Sequence, residues 1–333
     1  MALRLLVNTG LLAIPIGGSV GTLLGIDAHR SATGQPPLFT SDGNSNTGSG
    51  SGGDSTGGGS GGSGSTTNNG VTNTQYCQSS YGISPPSDGQ LYTLNPNQWG
   101  VTDTTSGALC MNVTTYNNET YATKQTAPGF SVTWQFDPGP STQPVHAFPN
   151  IMVDNVLPIE LDKMTKVDLD LHWTYGIGNT VASSTVESTL TADNLQTNVA
   201  IDMFFDSDKT NAGNSTLAKY EVMVWFADFG SAAQPIGLSA GAVTTKTLNG
   251  TTFSLYTGTN SAKQNVLSWV ATETTEEFTG DIYPLITDLY TLTGDIYPSN
   301  SDYMGIFQFG TEAFSSDKNV TFSVPKLSID IQK

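Results

Sequence analysis

From Val71 to Lys333 the chain is a succession of short runs in which apolar and polar residues alternate, interrupted by clusters of Gly, Pro, Asn and Ser. Successive side chains of a strand point to opposite faces, so such runs bury a face only when they are assembled into sheets that pack on a second layer. Many short strands at this spacing predict an all-β fold, a sandwich or jelly roll. Strands are expected over 129–136, 166–175, 199–206, 220–226, 251–256, 266–272, 303–309 and 320–329. One short helix is expected over 281–291, where Ile282, Leu285, Ile286 and Leu289 recur at helical spacing and Pro284 suits a first turn.

Upstream the chain changes character. Residues 41–70 contain no hydrophobic residue and 12 glycines, a composition that has nothing to bury. The expected organisation is therefore residues 1–30 as a signal peptide or signal anchor, 31–70 as a Gly/Ser-rich disordered linker, and 71–333 as the folded domain. Arg4 precedes an apolar run from Leu5 to Ile26, which suits export and leaves cleavage or retention open. Gly58-Gly59-Ser60-Gly61-Gly62 matches a serine-hydrolase pattern only formally, having no strand before it and no helix after it. Sequons at Asn112, Asn118, Asn214, Asn249 and Asn319 support a secreted protein, membrane-tethered only if the first segment is retained. Cys77 and Cys110 fit either one disulfide in an oxidising compartment or two unrelated buried thiols.

Charge narrows the partners. With 29 acidic and 12 basic residues the net charge is −17, which repels phosphate backbones and argues against nucleic acid, while neutral polymers stay open. Only His146 and His172 lie beyond residue 70, so a three-histidine metal site is excluded, no metal is expected, and a histidine base would lack an evident nucleophile. Asp206-Ser207-Asp208 lacks the remaining ligand spacing of a calcium loop. Asp168, Asp170 and His172 alternate with Val167, Leu169, Leu171 and Trp173, the pattern of a half-exposed strand.

Three strands carry chemistry. In Tyr220–Phe226 one face holds Glu221, Met223 and Trp225. A carboxylate in line with a thioether and an indole suits neither a dry core nor an ordinary wet surface, but it suits the floor of a sugar cleft. Near the C-terminus Gln308, Gly310, Glu312 and Phe314 share a face, with Gly310 leaving room for a ligand, and a third strand presents Asp202 beside Phe204. Two carboxyls flanking a glycosidic bond are what acid-catalysed cleavage requires, and aromatic rings stack on pyranose faces. Trp99, Trp134, Trp173, Trp225 and Trp269 are candidate rings. These residues allow a glycosidase or a non-catalytic sugar-binding β-sandwich.

Several motifs together resemble glycoside hydrolase family 12, especially its fungal members. They are Gln75-Tyr76-Cys77, Leu91–Asn95 through Gln98-Trp99-Gly100, Cys110, Phe148-Pro149-Asn150, Ile201–Phe204, Tyr220–Trp225, Pro235-Ile236-Gly237 and Phe309–Phe314. The resemblance implies a β-jelly roll of two curved antiparallel sheets whose concave sheet is an open cleft for β-1,4-glucan. It also implies retention of anomeric configuration, no cofactor and a monomer. Position by position, Glu221 corresponds to the nucleophile, Glu312 to the acid/base and Asp202 to the acid that supports the nucleophile. Asn97, Trp99, Met223, Trp225, Pro235 and Phe314 correspond to substrate-binding positions, Trp134 is counted with them, and Cys77–Cys110 corresponds to the N-terminal disulfide. The expected activity is a retaining endo-β-1,4-glucanase on cellulose, mixed-linkage glucan or xyloglucan, with a xyloglucan-specific enzyme or a transglycosylase as alternatives. Gln98, Ala313 and the stretch 176–196 depart from the pattern.

Overall fold

The computed structural model describes residues 65–333 except 69, 103, 104, 117, 119 and 120. The N-terminal apolar run and most of the Gly/Ser-rich segment lie outside the described residues. In chain order the strands are β1 (Ser65–Asn68), β2 (Val71–Tyr76), β3 (Tyr92–Asn95), β4 (Gly107–Tyr116), β5 (Gly129–Phe136), β6 (Asn150–Val153), β7 (Ile159–Glu160), β8 (Lys166–Ile177) and β9 (Gln196–Asp206). They continue as β10 (Tyr220–Phe229), β11 (Thr244–Leu248), β12 (Thr251–Thr259), β13 (Asn265–Ala271), β14 (Glu277–Asp281), β15 (Tyr303–Gly310), β16 (Ala313–Ser315) and β17 (Val320–Gln332).

They form two sheets, β1-β2-β4-β5-β17-β8-β14 and β11-β12-β13-β10-β9-β15-β6-β3, with β16 added to β9 and β7 to β15. The expected sandwich is present, with a refinement: β10 and β13 run parallel, while the other pairs are antiparallel. The first sheet obeys the one-sided pattern. In β5, Phe130, Val132, Trp134 and Phe136 are buried, while Ser131, Thr133 and Gln135 face outward, partly exposed. In β8, Asp168 and Asp170 face outward and pair with Lys166 and Lys326 at 3.0 and 2.7 Å, the half-exposed strand that the sequence predicts. Strands β9 and β10 are buried on both faces. Ile201, Met203, Phe205, Val222, Val224 and Phe226 enter the core between the sheets, and the opposite face belongs to the cleft.

Three departures have local causes. β1 pairs with β2 from Ser65↔Thr74 to Asn68↔Val71, so the sheet begins six residues before the expected domain start, inside the stretch read as linker. A Thr- and Asn-bearing strand at a sheet edge needs no apolar residue, because its neighbour supplies the backbone partners. The expected helix is present as Tyr283–Leu289, and two shorter helices join it, Glu187–Ala192 and Lys209–Ala212. We number them α1 (Glu187–Ala192), α2 (Lys209–Ala212) and α3 (Tyr283–Leu289) in chain order. α1 buries only Leu190 and so has no periodic pattern to read. α2 is one turn, capped by Asp208, whose side chain accepts from the N–H groups of Thr210 and Asn211 at 2.7 and 3.1 Å. The Asp206-Ser207-Asp208 motif is thus a turn and helix cap. Cys77 and Cys110 form a disulfide across 33 residues.

Candidate active site

Strand pairing converts three separate motifs into one surface. On β10, Met223 stands opposite Asp202 of β9 and Ser268 of β13, and Asp202 in turn stands opposite Gln308 of β15. One step along, Trp225 is flanked by Ala200 and Val270, with Gly310 beyond Ala200. One step the other way, Glu221 is flanked by Phe204 and Val266. Small or flat residues beside Trp225 leave its ring as the floor. Its indole N–H donates to the Met223 sulfur at 3.3 Å, which fixes the ring.

Glu312 follows the end of β15 and is clamped by Asn198, on β9 four residues before Asp202. The Asn198 side-chain amide donates to Glu312 Oε2, and its oxygen accepts the Glu312 backbone N–H at 3.0 Å. Beneath that turn lies a buried chain of hydroxyls. Thr311 donates to the Asn198 carbonyl at 2.5 Å, Thr197 donates to the Glu312 carbonyl at 2.6 Å, and Tyr175 lies 3.2 Å from Thr311. Glu221 is held from the other side: the Asn260 amide donates to its Oε2 at 2.8 Å.

The three acids face one another, and their environments separate them. Burial, opposed by the Asn260 donor, pushes Glu221 up to about 7. Burial and then the negative charge of Glu221 push Glu312 up to about 8, opposed by Asn198. Asp202 is raised well above the ordinary carboxyl range by burial, then by Glu221 and Glu312, opposed by the Met203 backbone N–H. The negative charge of Glu221 thus favours the protonated form of both Asp202 and Glu312. One carboxylate and a neighbouring carboxylic acid coexist.

Most of the expected binding residues converge here. Met223 and Trp225 form one apolar cluster, and Trp99 packs with Phe314, Val145 and Ala233 in another. Asn97 adopts a left-handed φ of 43° and keeps both side-chain polar atoms buried without partners, as are the Trp99 indole N–H, the Gln308 carbonyl oxygen and the Ser268 hydroxyl. Buried polar groups are ordinarily paired. A set of unpaired donors and acceptors around an indole floor suits a polyhydroxylated ligand. Pro235 lines a 540 Å³ concavity made by Ser231, Ala232, residues 234–240, Thr257–Thr259, Ser141 and Pro144. It adjoins the Trp99–Phe314 cluster through Val145 and Ala233, and Gly258, in the Glu221 row, lies in its wall. A Cβ on Gly237, at φ 93°, would sit 2.1 Å from the Thr257 carbonyl, so glycine lets this loop rest directly on β12.

Two readings change. Trp134 lies on β5 of the other sheet, 1% exposed in the core, and its N–H donates to the Tyr175 hydroxyl at 2.7 Å. It is no stacking ring; it anchors the hydroxyl chain below Glu312. Gly310 makes no room for a ligand either, since a Cβ there would lie 2.2 Å from the Pro149 carbonyl, and glycine is required by the neighbouring strand. Asn198 and Asn260 escape sequence reasoning. Asn198 shares the Asp202 face by period two and could have been found that way, whereas Asn260 sits in a hairpin loop with no periodic signal.

Comparison with known proteins places the chain in a family. The profile of glycosyl hydrolase family 12 matches residues 90–332. Xyloglucan-specific endo-beta-1,4-glucanase A of Emericella nidulans is 31% identical over 234 residues, 70% of this chain and 83% of that protein. The protein of the same name from Aspergillus niger is 29% identical over 241 residues, 72% of this chain and 86% of that one. The crystal structure of Trichoderma harzianum endoglucanase 3 has a TM-score of 0.60 at 26% identity and covers 78% of this chain and 97% of its own. The Bacillus licheniformis family 12 xyloglucanase, at 18% identity and a TM-score of 0.53 over 76% of this chain and all of its own, shares the fold. A profile that spans both sheets, and a relative above 30% identity across most of its length, establish that the chain belongs to glycosyl hydrolase family 12.

Proposed function

We propose that Glu221 and Glu312 carry out retaining hydrolysis of β-1,4-glucan, and that the substrate is a branched chain of the xyloglucan kind. The family makes the protein a glycoside hydrolase of endo-β-1,4-glucanase type. In the proposed mechanism protonated Glu312 donates to the leaving glycosidic oxygen while ionised Glu221 attacks the anomeric carbon. A covalent glycosyl-enzyme forms, and Glu312, now a base, takes a proton from the water that releases it. The observation that carries this assignment is geometric: the two carboxyls meet in one site, Glu221 held by the Asn260 amide and Glu312 by the Asn198 amide, and the charge of Glu221 favours the protonated form of Glu312. Burial and the charges of Glu221 and Glu312 favour the protonated form of Asp202, which can donate to the Glu221 carboxylate as it is released when the glycosyl-enzyme is hydrolysed.

The finer substrate reading rests on two supports. The similar proteins of Emericella nidulans and Aspergillus niger are named xyloglucan-specific, and the concavity at Pro235 offers lateral space where a linear chain needs none. Export completes the proposal: the disulfide suits an oxidising compartment, and among the described residues no helix is long and apolar enough to cross a membrane. N-terminal sequencing of secreted material separates a cleaved signal from a retained anchor, because only the anchor leaves Arg4 on the mature protein.

The test uses the secreted protein and its Glu221→Gln and Glu312→Gln variants with xyloglucan, mixed-linkage β-glucan, carboxymethylcellulose and xylan. NMR identifies the anomer released first. Initial β-anomer, lost in both variants, with xyloglucan cleaved fastest, is the expected result. Initial α-anomer overturns retention; sugar binding without cleavage in the unmodified protein overturns the enzyme assignment.

A further inference from the structure

Glu221 is steadied by Asn260, and Asn260 is itself held by a residue that touches neither acid. Asn260 and Gln264 close the five-residue hairpin between β12 and β13, and each is 3% exposed. The Gln264 backbone N–H donates to Asn260 Oδ1 at 3.0 Å. This contact places Asn260 Nδ2 where it donates to Glu221 Oε2 and to Gln264 Oε1, both at 2.8 Å. The Gln264 amide is pinned in turn, since Nε2 donates to the carbonyls of Ser215 and Ala218, both at 2.8 Å.

Every donor and acceptor in this pair has a defined partner, so neither amide can turn over. Flipping Asn260 would set its oxygen against a carboxylate and against the Gln264 oxygen, and its NH2 against an N–H. Flipping Gln264 would set its oxygen against two carbonyls. A partly satisfied buried network would be worse than none, whereas this one has a single consistent arrangement. The Ser215–Ala218 segment leads directly into β10, so one network ties the nucleophile's neighbour to the start of the nucleophile's own strand.

We propose that Gln264 is a positioning residue for the glycosidase reaction, locking the Asn260 amide as a permanent donor to Glu221. This rests on Glu221 being the nucleophile, as proposed above. Without Gln264, Asn260 loses its bond to Gln264 Oε1 and can rotate away, and Glu221 then holds its proton to higher pH. The ionisable groups facing Glu221 from the packed elements are Asp202 on β9 and Glu312 beyond β15, and no substitution at position 264 alters them.

The test is the pH profile of kcat/KM on β-glucan for the full secreted protein and its Gln264→Met and Gln264→Glu variants. It is paired with the pH dependence of labelling Glu221 by a mechanism-based glycosyl inactivator. Gln264→Met keeps volume and removes the polar contacts; its acid limb should move up by about one pH unit, the scale of one lost hydrogen bond to a charged group. KM should change less than kcat. Gln264→Glu, protonated in this buried position, still accepts from Asn260 and donates to one carbonyl, so its limb should return toward that of the unmodified protein. Asn260→Ala combined with Gln264→Met should shift no further than Asn260→Ala alone. If Gln264→Met does not fold, Gln264→Asn, one methylene too short for both contacts, takes its place with the same expected direction. An unchanged acid limb with only a lowered melting temperature overturns the positioning role. Failure of the unmodified protein to be labelled at Glu221 overturns the nucleophile assignment instead.

Discussion

Glu221→Gln should abolish activity and, above neutral pH, make the protein more stable. Glu221 is 4% exposed, and burial lifts its carboxyl from the ordinary value of 4.5 to about 7. Because the folded value lies above the unfolded one, the folded state gains from this proton below about pH 4.5 and loses that gain progressively as pH rises through about 7. The difference corresponds to up to about 3 kcal/mol. Glutamine has the same shape, can still accept from Asn260 through its oxygen, and carries no charge to desolvate. It also removes the negative charge that raises Glu312. The two proteins should therefore melt at nearly the same temperature at pH 4, and the variant should melt on the order of 5–10 °C higher at pH 8, from about 2–4 °C per kcal/mol for a domain of this size. Calorimetry of both proteins at several pH values reads this directly. The comparison cancels the general loss of stability that a net charge of −17 imposes as other carboxyls ionise. A constant difference from pH 4 to pH 8, or a variant less stable at pH 8, would refute the claim that burial of Glu221 strains the fold.

Asn198→Ala removes the amide that donates to Glu312, so the alkaline limb of the rate profile should move to higher pH and kcat should fall roughly tenfold, as expected for a misplaced general acid. Trp134→Phe should cost about 1–3 kcal/mol in a denaturant titration, through a buried Tyr175 hydroxyl left without its donor, while KM for glucan stays unchanged; a raised KM would return the ring to the cleft. Replacing Cys77 and Cys110 by serine should cost about 3–4 kcal/mol in the chain-entropy model for a loop of this length, measured as a lower denaturation midpoint, with the rate profile's shape retained.

The site was legible where its chemistry follows strand period. Glu221, Met223 and Trp225 share a face of β10, and Asp202 shares one with Asn198, because side-chain alternation is a property of each strand alone. Trp134 obeys the same alternation, yet alternation states only that Phe130, Val132, Trp134 and Phe136 lie together. Whether that face meets the cleft or the core depends on which sheet β5 joins. Gly310 next to Glu312 suggested an open floor, but its neighbour Pro149 comes from a segment about 160 residues away in the chain, which no local pattern announces. Asn260 reaches Glu221 from a hairpin loop, where residue choice has no period to reveal it. The missed short helix α1 buries a single residue and owes its place to packing rather than to propensity.

By itself, then, the amino-acid sequence determined the class of fold, the two faces of each long strand, the excess of acid over base and which carboxyls stand on strand faces as candidates. These follow from local periodicity and composition. Tertiary structure decided which strands became neighbours, that β13 runs parallel to β10, and therefore that three carboxyls from distant segments face one another. It also raised their affinity for protons, because that affinity depends on how much water a carboxyl loses and which charges and donors surround it. Those surroundings, Asn198, Asn260 and the Gln264 that holds Asn260, are assembled only when the two sheets close on their core.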